Sequence, residues 1–393
     1  MSDLSEFRAE TRAWLEENCP EGARGPGQIP TGSTKIPISD PDVQLWLERM
    51  VEKGWTAPMW PVEYGGGGLS KEQYLVLIEE MRILRARSPL AGMGTGLIGP
   101  TLLDYGTDDQ KARHLPRIAR GEVAWCQGYS EPGAGSDLAS LQTRAVSQGD
   151  HFVINGQKIW TSGAQYADWM FILVRTDPDA PKHDGISFLL LDMDQPGVNV
   201  KPIRLISGES PFCESFFDDA LAERRDLVGE LNKGWTVGKR LLQHERSGIT
   251  TLAGGAQRSR GPGLPDVARR YIGEANGKVA DEGFRQKLLH HEMTARALQL
   301  TQRRTVEESA EARTPGPQTS MFKYYGSVTT QNAIELGRDA RGSQGLGWEG
   351  GGFDGAEIGA MREFLSSRAM SIYSGSNEIQ LNIIAKRVLG LPD

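Results

Sequence analysis

The period of the hydrophobic pattern changes twice along the 393 residues, and this limits the fold more than any other feature. Residues 1–122 place apolar side chains at the 3.6-residue spacing of amphipathic helices. Residues 123–229 switch to the period of two that is typical of strands, and residues 230–393 return to the helical spacing. The sequence therefore predicts an α+β protein with a helical domain, a β-domain and a second helical domain in this order.

Turn-forming residues divide these segments into individual elements. We expect helices at 4–15, 42–53, 70–87, 91–105, 108–120, 235–253, 282–311, 318–341, 356–373 and 378–389. We expect strands at 122–128, 141–147, 151–158, 169–176, 185–192, 198–205 and 214–218. Ser70 with Gln73 three residues later predicts a capping box at the start of one helix. Gly149-Asp150 and Asn155-Gly156 both predict hairpin turns.

Charge and composition exclude several classes of function. Lys and Arg number 44 against 51 Asp and Glu, and the net charge of −7 argues against nucleic acid as the main partner. No apolar run reaches the roughly 18–20 residues that span a membrane. The first residues are acidic and amphipathic, unlike a signal peptide, so we expect a cytoplasmic protein. The three cysteines and six histidines show no ligand spacing, so we expect free thiols and no metal site.

The segment Gln127–Asp137, with the sequence QGYSEPGAGSD, is the most distinctive loop of the predicted β-domain. Pro132, Gly133 and Gly135 break regular structure, and two serines supply short polar side chains. The backbone N–H groups of such a turn can face an anion or a polar ring. An ordinary Pro-Gly loop has the same local composition, so the loop alone leaves both interpretations open.

Four further segments follow this loop in a fixed order. They are VINGQKIWTS at 153–162, GISFLL at 185–190, LVGELNKGW at 227–235 and IYSGSNEIQ at 372–380. The ordered set resembles the acyl-CoA dehydrogenase family, and the resemblance covers nearly the whole chain. It implies an N-terminal helical domain, a middle β-barrel or β-sandwich domain and a C-terminal four-helix bundle.

The resemblance also implies a reaction. Members of the family hold FAD and act on an acyl-CoA thioester, which they convert to the 2-enoyl-CoA. A carboxylate removes the α-proton while the β-hydride passes to flavin N5. Electron-transfer flavoprotein is the implied electron acceptor, and a homodimer or homotetramer is the implied assembly, with a hetero-oligomer as the alternative. The small residues Gly92, Gly94 and Gly96 permit a bulky or branched acyl group.

Carried over position by position, the resemblance implies that the loop lines the flavin and the thioester. The matching loop residues are Gln127, Tyr129, Ser130, Gly135 and Ser136. Ser130 matches a residue whose hydroxyl contacts the flavin, and Ser136 matches a contact of the pantetheine arm. Both expectations agree with the short polar side chains and the exposed amides of such a turn.

Two more segments match cofactor-binding positions of the family. Trp160, Thr161 and Ser162 match the segment that packs on the isoalloxazine ring, although a tryptophan at a strand end is equally a core aromatic. Ser376, Glu378 and Gln380 match the segment at the ribityl-phosphate side of the flavin. Ser376 is also expected to be the N-cap of the last helix, and the two roles are compatible.

The catalytic base of most family members is missing from its usual place. The segment that carries it as Tyr-Glu-Gly-Thr reads Tyr-Ser-Gly-Ser here, with Ser374 at the position of the glutamate. A hydroxyl is too weak a base near neutral pH. The isovaleryl and long-chain types place the glutamate before an arginine on a helix, and Glu245-Arg246 match that site. We therefore expect Glu245 as the base, with a pKa raised towards neutral by an apolar, covered site.

Other interpretations apply to this residue and to the protein. Glu245 is alternatively a surface carboxylate that pairs with Arg246 or Lys239. The chain is alternatively a non-catalytic flavin-binding subunit of a hetero-oligomeric acyl-CoA dehydrogenase, or an oxidase or monooxygenase of the same fold that reacts with O₂. Arg258 and Arg260 are weak candidates for the segment that reaches a neighbouring subunit's FAD in this family.

Overall fold

The structure is a computed structural model that describes residues 2–250, 263–308 and 319–392, with side chains from 4 to 243, 263 to 305 and 319 to 392. By their contacts the residues form two compact units. The first contains Met1–Ile203 and Pro211–Ala256, and the second contains Arg204–Ser210 and Gln257–Asp393. This division does not test the domain boundaries expected near residues 122 and 229, which stay predictions.

Five α-helices open the first unit. They are α1 (Ser2–Asn18), α2 (Pro41–Glu52), α3 (Lys71–Leu84), α4 (Gly99–Tyr105) and α5 (Asp108–Ala119). The expected capping box is present, because Ser70 Oγ accepts from Gln73 N at 3.2 Å and Gln73 Oε1 accepts from Ser70 N at 2.9 Å. The helix expected at 91–105 is only partly correct: a π-helical turn, Gly94–Ile98, precedes α4. Its glycines disfavour a regular helix start.

Eight strands form one sheet in the first unit. They are β1 (Trp125–Gly128), β2 (Arg144–Gln148), β3 (His151–Ser162), β4 (Trp169–Arg175), β5 (Ile186–Asp192), β6 (Val198–Ile203), β7 (Phe212–Glu223) and β8 (Leu227–Val228). The path runs β6-β7-β3-β2-β4-β5-β8, and β1 pairs in parallel with β4. Successive residues of β4 and β5 enter two different core clusters, so these strands are buried on both faces. Their continuous apolar sequences follow from this burial.

One of the two expected hairpin turns is present. Gly149-Asp150 joins β2 to β3, with Gln148 opposite His151. The turn expected at Asn155-Gly156 is wrong, because β3 continues through it to Ser162. The pairing of β3 with β7 shifts register there, and Gly156 has a φ of 146°. A bulge in a long strand therefore uses the residues that a hairpin would use.

Helix α6 (Gly234–Thr250) belongs to the first unit, and the other α-helices of the described residues belong to the second. They are α7 (Leu264–Ile272), α8 (Glu282–Glu308), α9 (Thr319–Arg341), α10 (Gly355–Ser367) and α11 (Asn377–Ile383). The pattern missed α7 and the short hairpin of β9 (Glu274–Ala275) and β10 (Lys278–Val279). The helix expected at 356–373 ends earlier, because a 3-10 turn follows α10. A π-turn likewise follows α11.

Two further observations bear on function. Within the described ranges no helix combines the length and the apolarity needed to cross a membrane. Cys19, Cys126 and Cys213 are all buried and free.

Candidate active site

The loop after β1 folds into a tight turn with an open outer side. Glu131 and Ala134 exchange two backbone hydrogen bonds of 3.0 Å, which close the turn around Pro132 and Gly133. A Cβ atom built on Gly133 or Gly135 would meet no atom within 4 Å. The turn therefore leaves room beside its backbone for a ligand.

A buried ion pair lies beneath this turn. Lys158 Nζ is 2.7 Å from Glu131 Oε1 and 3.1 Å from the carbonyl oxygen of Tyr129. The Glu131 carboxylate also accepts hydrogen bonds from Gln142 N at 2.7 Å and Thr143 N at 2.9 Å. The side chain of Lys158 is 0% exposed and that of Glu131 is 9% exposed. Glu131 thus joins the turn to β3 and to the segment before β2.

The pair is ionised near neutral pH. Burial lowers the pKa of the Lys158 ammonium to about 8, and the Glu131 carboxylate opposes this shift. Burial by itself would raise the pKa of the Glu131 carboxyl. Lys158 and the hydrogen bonds from Gln142 and Thr143 outweigh burial and hold that pKa below its ordinary value.

Strand β3 brings the expected loop and the expected tryptophan segment together. Ile159 N donates to Ser130 O at 2.8 Å, one residue from the Lys158 contact with Tyr129 O. Trp160 follows directly, at a bulge where the register of β3 against β7 shifts between Lys158 and Thr161. Ser130 and Ile159 are 29 residues apart in the sequence, and this hydrogen bond makes the two segments neighbours in the fold.

Trp160 is displayed outwards by a strained backbone. Its φ is 61°, which is uncommon for a bulky residue and costs energy that the surrounding strands must offset. The indole is 53% exposed and meets the ring of Phe212 edge-on at 6.2 Å. The alternative of a core tryptophan is therefore wrong, and one indole face is available to a flat ligand.

The other expected residues of this region divide between the surface and the core. Gln127, Ser130 and Ser162 are half-buried, and Gly135 and Ser136 are exposed. The Tyr129 side chain is buried and packs edge-on against Phe171 at 6.0 Å and Phe188 at 6.5 Å, so only its backbone faces the loop. Thr161 is 1% exposed, and its hydroxyl has no hydrogen-bond partner among the described residues. Side chains in a strand alternate in direction, so Thr161 of β3 points inwards where Trp160 points outwards.

A second charged contact fixes the far end of the loop. Asp137 pairs with Lys182, and it accepts from Ser140 Oγ at 2.7 Å. The Lys182 ammonium, helped by Ser140, lowers the pKa of the exposed Asp137 carboxyl. Lys182 lies in the connection from β4 to β5, so this connection lies close to the end of the loop that carries Ser136.

In the second unit, the expected C-terminal residues surround the start of α11. Ser374 and Gly375 have left-handed φ values of 54° and 84°, and Ser376 caps the helix by accepting from Ile379 N at 3.4 Å. Gln380 is 6% exposed, and its Nε2 donates to Gly375 O at 3.4 Å. Glu378 is exposed; its own backbone N–H and the Ser376 hydroxyl lower the pKa of its carboxyl. The expectation that Ser376 is an N-cap is confirmed.

The proposed base lies where side chains are not described. Glu245 and Arg246 fall within helix α6, and their side chains are outside the described residues, as are Arg258 and Arg260 entirely. Position 245 follows the fully buried Leu241 by four residues, close to one helical turn. The backbone therefore carries position 245 on the side of α6 that holds Leu241.

The sequence assigned no role to Lys158 or to Glu131. A partial signal was present, because Lys158 lies on the same face as Phe152 and Ile154 in the period-two pattern of β3, and a lysine on a core face needs a buried partner. The pattern could not name the partner, since Glu131 lies 27 residues away in a loop.

These residues fit a flat aromatic cofactor. An exposed indole face, the half-buried hydroxyl-bearing Ser162, and open space beside two glycines suit a polar ring system. None of these features supplies a proton acceptor. Within the described residues no group of His, Cys, Asp and Glu has the arrangement of a metal site.

Comparisons with known proteins identify the family of the chain. Family models for the acyl-CoA dehydrogenase N-terminal, middle and C-terminal domains match residues 2–122, 126–220 and 232–389. The chain is 40% identical over 399 residues to "Acyl-CoA dehydrogenase IpdE1" of Mycobacterium tuberculosis, covering 100% of this chain and 99% of the relative. The relative of that name in Mycolicibacterium smegmatis is 38% identical over 409 residues, with coverage of 100% and 99%.

Solved structures show the same fold. "Tcur3481-Tcur3483 steroid ACAD" superposes with a TM-score of 0.76 at 30% identity, covering 100% of this chain and 98% of that one. The ChsE4-ChsE5 complex from Mycobacterium tuberculosis gives the same TM-score, identity and coverage. The predicted fold class is confirmed. The chain belongs to the acyl-CoA dehydrogenase family, whose members are FAD-binding oxidoreductases.

Proposed function

We propose that this chain catalyses the FAD-dependent α,β-dehydrogenation of an acyl-CoA thioester to the 2-enoyl-CoA, with Glu245 as the base. The observation that carries the proposal is the junction made by β3. It holds the turn at Glu131–Ala134 beside the exposed indole of Trp160, through Lys158 and Ile159. A flavin ring on that indole and a thioester over that turn would meet at this junction.

The base is assigned from the family resemblance, in which Glu245-Arg246 match the alternative base site, and from helix position. Ser374 replaces the carboxylate that most members carry, and two carboxylates in one dry pocket would repel each other. Position 245 lies on the Leu241 side of α6, and Leu241 belongs to the core cluster that also contains residues of β4 and β5. Glu245 is the acidic residue of α6, so it is the carboxylate this helix can offer.

Each proposed site residue then has a separate role. Glu245 accepts the α-proton on a carboxylate oxygen, and Arg246 beside it in sequence supplies a positive charge. Ser136 binds the pantetheine arm, and Ser130, Trp160 and Ser162 bind and orient the flavin. We assign to the same flavin-binding segments the residues Gln127, Gly135 and Thr161. The ribityl-phosphate side of the cofactor is assigned to Ser376, Glu378 and Gln380. Bound FAD supplies the acceptor for the β-hydrogen and its electron pair.

The acyl group we propose is bulky and ring-bearing. Gly96 is exposed, and a Cβ built on it would meet no atom within 4 Å, so the π-turn Gly94–Ile98 leaves space beside α6, against which it packs. π-Turns inside helices often occur at functional sites. Structural relatives with 30% identity are described as a steroid acyl-CoA dehydrogenase, which agrees with a ring-bearing acyl group.

The decisive experiment is anaerobic reduction of the purified holoprotein by acyl-CoA thioesters. A panel of short, long, branched and ring-bearing acyl-CoAs should bleach the flavin absorbance, fastest for the ring-bearing members. Glu245→Gln should slow bleaching by about a hundredfold or more, because the general base is lost while the shape is kept. Its flavin absorbance before substrate is added should match that of the wild type.

Glu292→Gln is the matched control, since Glu292 is an exposed helical glutamate of α8. This variant should bleach at the wild-type rate. Bleaching of Glu245→Gln at the wild-type rate would show that another group removes the α-proton.

A second function is favoured by one specific observation. Two structural relatives are named as pairs of chains, Tcur3481-Tcur3483 and the ChsE4-ChsE5 complex. This chain would then be a flavin-binding subunit that needs a second acyl-CoA dehydrogenase chain for turnover. Native mass measurement and bleaching of the purified chain alone separate the two functions. A homo-oligomer that bleaches supports catalysis by this chain, and bleaching only after the second chain is added supports the subunit.

Electron-transfer flavoprotein is the electron acceptor that we propose, because the family resemblance implies it. Turnover in air tests this assignment. Little peroxide and rapid reduction of added electron-transfer flavoprotein are the expected results. Hydrogen peroxide in equal amount to the enoyl product would instead indicate an oxidase.

A further inference from the structure

Two successive carbonyl groups of the loop are held from the same strand. Lys158 Nζ donates to Tyr129 O at 3.1 Å, and Ile159 N donates to Ser130 O at 2.8 Å. Peptide bonds are planar, and every peptide bond described here is trans, so each N–H points away from the carbonyl of its own peptide unit. Fixing Tyr129 O therefore turns the N–H of Ser130 away from Lys158.

Glu131 also fixes this part of the loop, through its side chain and its backbone. Its carboxylate accepts hydrogen bonds from Lys158 Nζ and from the backbone N–H groups of Gln142 and Thr143. Its own backbone closes the turn by hydrogen bonds with Ala134. The carboxylate therefore has a defined position, and so does the ammonium that it neutralises. Buried ionic groups cost desolvation energy, and this cost has to be offset by partners of this kind.

We propose that Lys158 and Glu131 are positioning residues that set the direction of the Ser130 amide N–H towards the flavin. The inference rests on the proposed function, since it takes Ser130 and Trp160 as flavin contacts. Both side chains are buried, with 0% exposure for Lys158 and 9% for Glu131. Both act through the peptide groups at 129–131 and through the strand that continues into the Trp160 bulge.

A structural role and a positioning role make different predictions for a double variant. Lys158→Met leaves the Glu131 carboxylate buried without its ammonium, so unfolding should occur at lower denaturant concentration. Adding Glu131→Gln removes the unpaired charge and should restore most of that stability. The donor to Tyr129 O is still missing in the double variant. FAD should therefore remain bound about tenfold more weakly than in wild type.

Three measurements on the full-length chain test this. They are the FAD dissociation constant from quenching of flavin fluorescence, the flavin absorption spectrum, and the hydrogen exchange of the amides in residues 127–137. Lys158→Met and the double variant should both show weaker FAD binding, a shifted spectrum and faster exchange at Ser130 and Glu131. Glu131→Asp, which keeps the charge but withdraws it from Lys158, should fold and show smaller changes in the same direction.

Glu80→Gln is the matched control. The Glu80 side chain is 1% exposed and pairs with Arg8 at 2.7 Å and Arg12 at 2.8 Å, in the helices α1 and α3. The Glu80→Gln variant should unfold at a lower denaturant concentration than wild type and bind FAD with wild-type affinity. Wild-type FAD affinity in the double variant or in Glu131→Asp would overturn the proposal, as would equal weakening by Glu80→Gln. No acyl-CoA is used, so failure of wild-type bleaching would reject the proposed function and leave this result standing.

Discussion

At the scale of single residues, His114 shows how strongly burial decides protonation in this protein. Its ring on α5 is 2% exposed and lies edge-on to Trp125 at 5.2 Å and Trp169 at 4.8 Å. Burial, aided by the nearby charge of Arg113, lowers the pKa of the imidazole to about 3. His114 is therefore neutral in the folded protein across the physiological range.

This burial predicts an acid-sensitive stability. The unfolded-state pKa of histidine is about 6.5, so protons bind the unfolded chain first as pH falls from about 6.5 towards 3. Up to about 4 kcal/mol of stability should be lost across this window. Urea unfolding of wild type and His114→Phe between pH 7 and pH 4 should show a flatter pH dependence for the variant.

His290 is an exposed histidine of α8, and His290→Gln is the control. The stability of this variant should depend on pH as that of wild type does. A wild-type slope in His114→Phe would mean that His114 is protonated in the native state, against its burial.

At the scale of elements, β3 organises the site. It begins after the Gly149-Asp150 turn, bends at Gly156, places Lys158 beneath the loop and turns Trp160 outwards two residues before its end at Ser162. Gly156 has a φ of 146°, and an added Cβ would lie 2.8 Å from the Cα and the hydroxyl oxygen of Thr143. Thr143 also donates its N–H to the Glu131 carboxylate, so Thr143 contacts both the bend at Gly156 and the loop that carries Glu131.

The bend predicts a large effect of one added methyl group. Gly156→Ala should destabilise the protein by about 2–4 kcal/mol, because a strained backbone and a steric overlap add together. Chemical unfolding followed by tryptophan fluorescence measures this. Gly326→Ala within α9, where the added Cβ meets nothing within 4 Å, should instead stabilise by about 0.5–1 kcal/mol. Equal effects from the two substitutions would contradict the assigned bend.

At the scale of the whole molecule, cofactor and folding should be linked. A ligand that binds only the folded protein adds about 2.7 kcal/mol of stability when its free concentration is a hundredfold above Kd. The thermal midpoint of apo-protein should therefore rise steadily with added FAD. Riboflavin, which lacks the phosphates and the adenosine, should raise it much less at equal concentration. An unchanged midpoint at saturating FAD would show that the folded chain does not hold the cofactor by itself.

Sequence alone determined the order of element types, because hydrophobic period and turn chemistry are local properties of the chain. The helical, β, helical order and the ordered motifs were enough for the family, the fold class and the cofactor. The capping box at Ser70 and the hairpin at Gly149-Asp150 were predicted for the same reason, since each depends on neighbouring residues. The roles of Glu245 and of the other site residues stay predictions.

Tertiary structure alone decided which side chains face the site. Asn155-Gly156 became a bend because β7 pairs with both sides of it, and Tyr129 turned inwards because β4 and β5 offer it two phenylalanine rings. Lys158 contacts Glu131 because the chain between them folds back on itself. These outcomes depend on contacts between residues far apart in sequence, and a local pattern carries no information about which distant partner a buried group will meet.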